Sequence, residues 1–188
     1  MIEAAEMVER CRNLRLDTER LTIRRFTDSD FEVALAHESN REIMTYIRDP
    51  KPAKELREKV EAFTGEWKGG ENEWLGLPVT LRGEHPMMGI VCFRIVSFAN
   101  ETAEIGYRFH QSYHGKGFAF EATRRLFDFL FDEIGAHKLI ALCTAENEPS
   151  YRLMEKVGMR REGCLREHSM LGGRWHDELV YGLLSTER

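Results

Sequence analysis

The sequence predicts a single mixed α/β (α+β) domain in which helices flank a sheet. Its 188 residues, 42% of them hydrophobic, are enough for one well-buried core and few for two. Strand-like and helix-like periodicities follow one another along the chain, and no repeat, low-complexity tract or flexible linker divides it. We therefore expect one domain over residues 14–188, preceded by a charged helical extension over residues 1–13.

The segment that follows this extension is predicted to contain one strand and two helices. The run from Arg20 to Phe26 alternates as a strand does, and residues 27–30, Thr-Asp-Ser-Asp, offer caps for a helix that continues to about Ser39. A second helix should run from about Ala53 to Trp67 and end at the glycine pair 69–70.

Three strands are predicted next. Residues 73–81 and 88–98 flank the turn residues 82–86, Arg-Gly-Glu-His-Pro, so these two strands should form an antiparallel hairpin. A third strand should occupy residues 101–109.

The remainder predicts a strand, helix and strand followed by a closing hairpin. A helix over residues 118–131 has one apolar stripe, as expected of a helix packed on a sheet. Residues 138–145 are nearly all apolar, which is typical of an interior strand, so the connection should be a right-handed crossover. Residues 147–150 should cap a short helix, and the tail from Met159 should form a hairpin that turns at residues 171–173.

The most informative segment is residues 114–119, His-Gly-Lys-Gly-Phe-Ala, which opens the predicted helix after a strand. The first turn of a helix leaves N–H groups without intrahelical partners, and these attract anions. Gly115 and Gly117 would let a diphosphate approach the backbone, and Lys116 adds positive charge. A plain turn is the alternative. The spacing is not that of a Walker loop, and Phe120 stands where a dinucleotide fingerprint needs a small residue.

Charge and cysteine content narrow the class of protein. A net charge of −5 without a long basic run argues against nucleic-acid binding and is compatible with a cationic substrate. The four cysteines are scattered without ligand spacing, so we predict no metal site and expect a reducing, cytoplasmic setting. His110 and His114 are four residues apart, but the glycines beside them oppose the helix that a shared metal would need. Neither a targeting leader nor a membrane span is predicted.

Several motifs occur in one characteristic order. They are Arg-Leu-Thr-Ile-Arg at 20–24, Glu-Ile-Gly-Tyr at 104–107, the glycine loop, Asn-x-x-Ser at 147–150 with Lys-x-Gly-Met at 156–159, and Arg-Trp-His-Asp at 174–177. Together they resemble the GNAT acetyltransferase superfamily, most closely its Rim-type enzymes, which acetylate the N-terminal amine of ribosomal proteins. The resemblance runs from about Leu16 to Leu184. It implies a twisted, mostly antiparallel sheet whose two central parallel strands splay apart, with acetyl-CoA in the gap.

The resemblance also implies the contacts to acetyl-CoA. The diphosphate would lie on the glycine loop and the helical turn after it, and the pantetheine arm would lie beside the strand before the loop. Ser112 stands where the family has Gln or Arg, so the backbone should do most of the binding. The predicted acetyl-CoA residues are Phe109, His110, His114, Gly115, Lys116, Gly117, Phe118, Ala119, Asn147 and Ser150.

Acetyl transfer to an amine needs a base for the amine proton and a donor for the departing thiolate. The tyrosine that many members use as donor would align with Met154, which cannot donate. Ser150 aligns with the Rim-type serine near the CoA sulfur and is the predicted donor, with a role in the first helical turn as the alternative. Glu104 is the first candidate base, acting through water, unless it only forms an ion pair with Arg108. Glu167 is the second candidate, and positioning alone could make both dispensable.

The predicted function is that of an acetyl-CoA-dependent N-acetyltransferase acting on a primary amine, first of all a protein N-terminus. A small amine such as a polyamine or amino sugar is the alternative acceptor. A CoA-binding module without chemistry is a second hypothesis, supported by Met154. We expect no nucleic-acid or membrane partner, and edge strands suggest a homodimer.

Overall fold

The computed structural model describes residues 1–188 and contains one eight-stranded sheet flanked by helices. The helices are α1 (Ala4–Arg12), α2 (Phe31–Ser39), α3 (Arg41–Met44), α4 (Ala53–Thr64), α5 (Phe118–Asp128) and α6 (Glu148–Lys156). The strands are β1 (Arg15–Asp17), β2 (Leu21–Arg24), β3 (Leu75–Leu81), β4 (Gly89–Ser97), β5 (Thr102–Phe109), β6 (Lys138–Thr144), β7 (Arg160–Leu171) and β8 (Arg174–Leu184). Helix α5 continues as a π-helical turn over Phe129–Glu133.

The strand order is β1-β2-β3-β4-β5-β6-β8-β7. Every neighbouring pair is antiparallel except β5 and β6, which are parallel. This confirms the predicted mixed fold, with a mostly antiparallel sheet and one central parallel pair. The outer strands are β1 and the much longer β7; pairing of such an edge in a homodimer stays a prediction.

The two parallel strands separate part-way along their length. Their paired residues are Thr102 with Lys138, Ala103 with Leu139, and Glu104 with Ile140. Strand β5 nevertheless continues to Phe109 and β6 continues to Thr144. Beyond the last pair the carboxyl ends of β5 and β6 have no ladder between them, so a gap opens inside the sheet.

The main core lies between the sheet and helices α1 and α5. Helix α5 buries Ala122, Leu126 and Phe127, the apolar stripe that its sequence predicts. Helix α1 buries Met7 and Cys11 in the same core. The segment predicted as an N-terminal extension is therefore packed onto the domain.

A smaller core lies between helices α2 and α4 and strands β3 and β4. Its buried residues are Phe26, Ala34, Val60, Met87 and Ile90. These helices hold the intervening segment, residues 40–52, above the end of β6, where the Thr144 hydroxyl donates to the Tyr46 carbonyl at 3.2 Å. The α2–α4 segment therefore lies at the same edge of the sheet as the gap.

Two local features differ from the sequence prediction. The helix expected to reach Trp67 ends at Thr64, because the Trp67 indole is buried in the main core and donates to the Glu73 carbonyl at 3.2 Å. Strand β1, which was not predicted, pairs with β2 through only three residues. None of the helices is both long and apolar enough to cross a membrane.

Candidate active site

The glycine loop forms an open cradle of backbone N–H groups at the start of α5. Gly115 and Gly117 have φ values of 72° and 79°, a left-handed conformation that residues with a Cβ rarely adopt. The first intrahelical bond runs from the Glu121 N–H to the Gly117 carbonyl at 3.0 Å. None of the backbone N–H groups from Gly115 to Phe120 donates a hydrogen bond within the protein. Such a row of free donors at a helix N-terminus suits the diphosphate of acetyl-CoA.

Charged side chains connect the glycine loop to neighbouring parts of the chain. Lys116 Nζ donates to the Ser112 carbonyl at 3.0 Å and lies over the Tyr113 ring. Arg20 pairs with Glu121 at 2.6 Å and donates to the Lys116 carbonyl at 3.1 Å. Arg20, which precedes β2, was not among the predicted site residues, although it is the first residue of the Arg-Leu-Thr-Ile-Arg motif. Arg20 therefore links the loop to the first turn of α5, and Lys116 is engaged within the protein.

Strand β5 turns the backbone of Phe109 toward the gap. The His110 N–H donates to the Met88 carbonyl beside β4 at 2.9 Å. Backbone groups alternate between the two edges of a strand, so those of Tyr107 and Phe109 face the opposite edge, where β6 has separated. His114 Nε2 lies 2.9 Å from the Phe109 carbonyl, where a ring N–H donates. The structure thus favours Phe109 over His110 as the residue beside the pantetheine, and gives His114 a role in shaping the turn.

Ser150, the predicted proton donor, lies against the half-buried Tyr107. The Asn147 side chain accepts from the Ser150 N–H at 3.3 Å, which caps α6. Tyr107 donates its hydroxyl hydrogen to the Ser150 carbonyl at 2.8 Å, and its oxygen lies 3.1 Å from Ser150 Oγ. Burial raises the pKa of Tyr107 well above its usual range, so the phenol keeps its proton. Met154 is buried in the core and supplies no proton.

Tyr107 is the functional candidate that the sequence did not single out. Its place in the Glu-Ile-Gly-Tyr motif was visible, but an aromatic residue on a strand is more often a packing residue. Residues 107 and 150 are distant in sequence, and only the fold brings them together.

The two candidate bases occupy different surroundings. Glu104 accepts from Arg94 Nη2 at 2.6 Å and Nε at 2.9 Å. The predicted ion pair between Glu104 and Arg108 is therefore wrong. The cross-strand register places Arg94 directly opposite Glu104. Glu167 is exposed on β7, where pairing with β8 is irregular, and its N–H donates to Asp177 Oδ1 at 2.8 Å. The structure does not bring the two carboxylates together with Ser150 in a single cluster.

Arg108 instead belongs to a buried ion-pair cluster around Glu38 of α2. The Glu38 carboxylate contacts Arg108, Arg48 at 2.7 Å and Lys59 at 3.1 Å. Burial acts to raise the pKa of Glu38, but these cations outweigh burial and hold it below its usual value. Glu38 therefore stays ionised and ties α2, α4 and the end of β5 together.

A cavity of about 660 Å³ opens between the α2–α4 segment and the β7–β8 turn. The two walls are joined where the Gly172 N–H donates to Asp49 Oδ1 at 2.7 Å. Tyr46, which lines the cavity, accepts from Thr144 at the end of β6. The cavity therefore lies at the edge of the sheet where β5 and β6 separate, which is a suitable place for a second substrate.

A family model described as the acetyltransferase (GNAT) domain matches residues 20–160. The chain belongs to the GNAT acetyltransferase family. An uncharacterized N-acetyltransferase of Bacillus subtilis, YnaD, is 36% identical over 174 residues, covering 93% of this chain and 99% of the relative. GNAT enzymes transfer an acetyl group from acetyl-CoA to an amine, and the protein is an N-acetyltransferase of this family.

One curated relative and one structural neighbour have acceptors in their names. The [ribosomal protein uS5]-alanine N-acetyltransferase of Escherichia coli is 24% identical over 187 residues, covering 93% of this chain and 92% of the relative. The crystal structure of spermidine N-acetyltransferase from Vibrio cholerae, in complex with CoA and spermine, superposes with a TM-score of 0.77 at 24% identity, covering 90% of this chain and 98% of that one. The relative thus acts on a protein amine, whereas the structural neighbour, which shares the fold, acts on a small-molecule amine.

Proposed function

We propose that this GNAT enzyme transfers the acetyl group of acetyl-CoA to a primary amine, in the first place the N-terminal amine of a protein. The row of free N–H groups from Gly115 to Phe120 beside the β5–β6 gap carries the proposal. These groups match an anion at one end of the gap, and the Ser150 and Tyr107 hydroxyls lie where β5 and α6 meet. One extended cofactor could span both.

Acetyl-CoA supplies an activated thioester at the gap. The Ser150 hydroxyl would donate a hydrogen bond to the sulfur as negative charge develops there. Tyr107, which donates to the Ser150 carbonyl at 2.8 Å and lies 3.1 Å from Ser150 Oγ, would hold the serine in place for this hydrogen bond. Ser150, positioned by Tyr107, would therefore take the donor role that a tyrosine at the position of Met154 has in many members of the superfamily.

The acceptor amine must lose a proton before or during its attack. Glu104 remains the first candidate base because it lies at the last paired position before the strands separate. Its carboxylate lies 2.6 Å from Arg94 Nη2 and could accept the amine proton through a water molecule. Glu167 remains the second candidate.

The shape of the cavity supports the N-terminus of a polypeptide as the acceptor. The cavity opens between two separate segments, and exposed apolar side chains of Tyr46 and Ile47 lie on one of them. A peptide could lie along these side chains while its N-terminus reaches the gap. A small amine is the second candidate, supported by the fold shared with the spermidine enzyme.

Release of free CoA thiol tests the proposal. The purified protein should release thiol from acetyl-CoA when an N-terminal peptide or small amine from a broad panel is added. Ser150→Ala should lower kcat while CoA affinity, measured by calorimetry, stays unchanged. If the protein bound CoA but no acceptor raised thiol release above the hydrolysis background, the catalytic proposal would be lost and a CoA-binding module would remain.

A further inference from the structure

The charge of the cavity between the α2–α4 segment and the β7–β8 turn points to the chemistry of the acceptor. Its cationic lining residues are Arg41, Arg48, Lys51 and Arg174, and its carboxylates are Glu38 and Asp49. Cations therefore outnumber carboxylates in this cavity, although the whole chain has a net charge of −5. The local charge is opposite to the overall charge of the protein.

Both carboxylates are engaged within the protein. Glu38 is fully buried and contacts Arg48, Lys59 and Arg108. Asp49 accepts from the Gly172 N–H and so holds the two walls of the cavity together. Neither carboxylate is left free to bind a cationic substrate.

Two of the cations are free. Arg41 lies at the start of α3 and Arg174 at the start of β8, so they come from opposite walls of the cavity. Neither guanidinium forms an ion pair or a side-chain hydrogen bond. Lys51, by contrast, pairs with Glu55 at 2.9 Å, and Arg48 pairs with Glu38. An arginine guanidinium offers a planar set of donors that matches a carboxylate or phosphate.

We propose that the acceptor amine carries an anionic group, a carboxylate or a phosphate, which binds in this cavity to Arg41 and Arg174. The proposal rests on the N-acetyltransferase function proposed above and narrows its substrate class. It favours an acidic peptide N-terminus or a small amino acid or amino phosphate. It disfavours a polyamine, because a polycation would meet like charge.

Matched acceptor pairs test the proposal. One arm compares peptides that differ only in Glu or Gln at the second position. The other arm compares free amino acids with their amides, and phosphoethanolamine with ethanolamine. In each arm the anionic member should have a kcat/KM higher by about tenfold or more, since hydrogen bonds to charged groups are worth about one factor of ten or more. The arm with the larger absolute kcat/KM identifies a peptide or a small molecule.

Two variants and one control show whether the two arginines cause the preference for anionic acceptors. Arg41→Gln and Arg174→Gln should each lower kcat/KM for the anionic acceptor by about tenfold. They should leave the neutral acceptor and the KM for acetyl-CoA unchanged. Lys54→Gln is the matched control, because Lys54 is 88% exposed on α4 and does not line the cavity. It should behave as the unaltered enzyme does.

Binding without chemistry separates this proposal from the proposed function. Calorimetry on the complex with CoA should show tighter binding of the anionic member of each pair, and this difference should vanish in Arg41→Gln and Arg174→Gln. Equal binding of anionic and neutral members would overturn the anion proposal even if acetyl transfer occurs. Selective binding of anions without any thiol release would support the anion site and contradict the enzyme function instead.

Discussion

Replacing Gly117 should weaken CoA binding far more than removing the charge of Lys116. Gly117 has a φ of 79°, and a Cβ there would lie 3.4 Å from the Arg20 guanidinium, which is an ordinary contact. The obstacle to a Cβ is therefore the backbone conformation and not space. A residue with a Cβ in the left-handed conformation costs about 1–2 kcal/mol, so Gly117→Val should drive the loop into another shape.

The loss in affinity follows from the N–H groups that this loop aligns. A hydrogen bond from a neutral donor to a charged acceptor is worth about 1.5–3 kcal/mol. If the altered loop misdirects two of the N–H groups between Gly115 and Phe120, the loss is about 3–6 kcal/mol. That corresponds to roughly a 100- to 20,000-fold increase in Kd. Lys116 is engaged by the Ser112 carbonyl, so Lys116→Ala should cost about 1 kcal/mol or less, about fivefold in Kd.

Calorimetric titration of CoA measures both effects. Gly83→Val is the matched control, because Gly83 has a φ of 81°, no atom within 4 Å of the added Cβ, and a place in the turn between β3 and β4, away from the loop. It should lower thermal stability about as much as Gly117→Val while CoA affinity is preserved. Equal weakening by Gly117→Val and Lys116→Ala, or any comparable weakening by Gly83→Val, would refute this account of the loop.

Three further predictions concern the chemistry and the pH dependence. Tyr107→Phe should lower kcat by about tenfold with CoA affinity unchanged, since it removes one hydrogen bond to the donor serine; an unchanged kcat would remove Tyr107 from the mechanism. At pH 7, Glu104→Gln should lower kcat by about a hundredfold, as expected for loss of a general base, and the deficit should shrink at higher pH as the amine deprotonates in solution. Glu167→Gln should leave kcat close to that of the unaltered enzyme. If Glu167→Gln lowered kcat more than Glu104→Gln, the two glutamates would exchange roles. Burial, together with the nearby Arg108, lowers the pKa of His37 from 6.5 to about 4, so the unfolded chain takes up a proton that the folded one does not. The contribution of His37 to the free energy of unfolding, measured with urea, should therefore be complete above pH 6.5. It should fall toward pH 4 by up to about 1.4 kcal/mol per pH unit, and His37→Gln should flatten this slope.

Local chemistry made the main elements predictable. The apolar stripe of α5, the glycines at the start of that helix, and the turn residues between β3 and β4 each act over a few neighbouring positions. The order of the motifs then predicted the parallel pair, and the structure contains it. The acetyl-CoA residues follow from the resemblance to the GNAT family, and they stay predictions.

Contacts between distant parts of the chain could not be predicted. Tyr107 meets Ser150 because β5 and α6 are neighbours in the fold, and Glu38 meets Arg108 because α2 packs across the end of β5. Neither pair has a sequence spacing that would reveal it. The partner of Glu104 was accessible in principle, since the register of the β4–β5 hairpin sets Arg94 opposite it. Strand β1 is too short for its periodicity to be recognised.

The separation of β5 and β6 also gives the molecule a sheet edge in its interior. Exposed edges are templates on which foreign strands assemble, and proteins usually cover or charge them. Here the edge of β5 beyond Glu104 is closed at one end by the last pair with β6 and is followed at the other by the glycine loop before α5. A ligand with peptide-like amides can pair there as a substitute strand. Slower amide hydrogen exchange at Tyr107 and Phe109 with CoA present would be the signature of this internal strand addition.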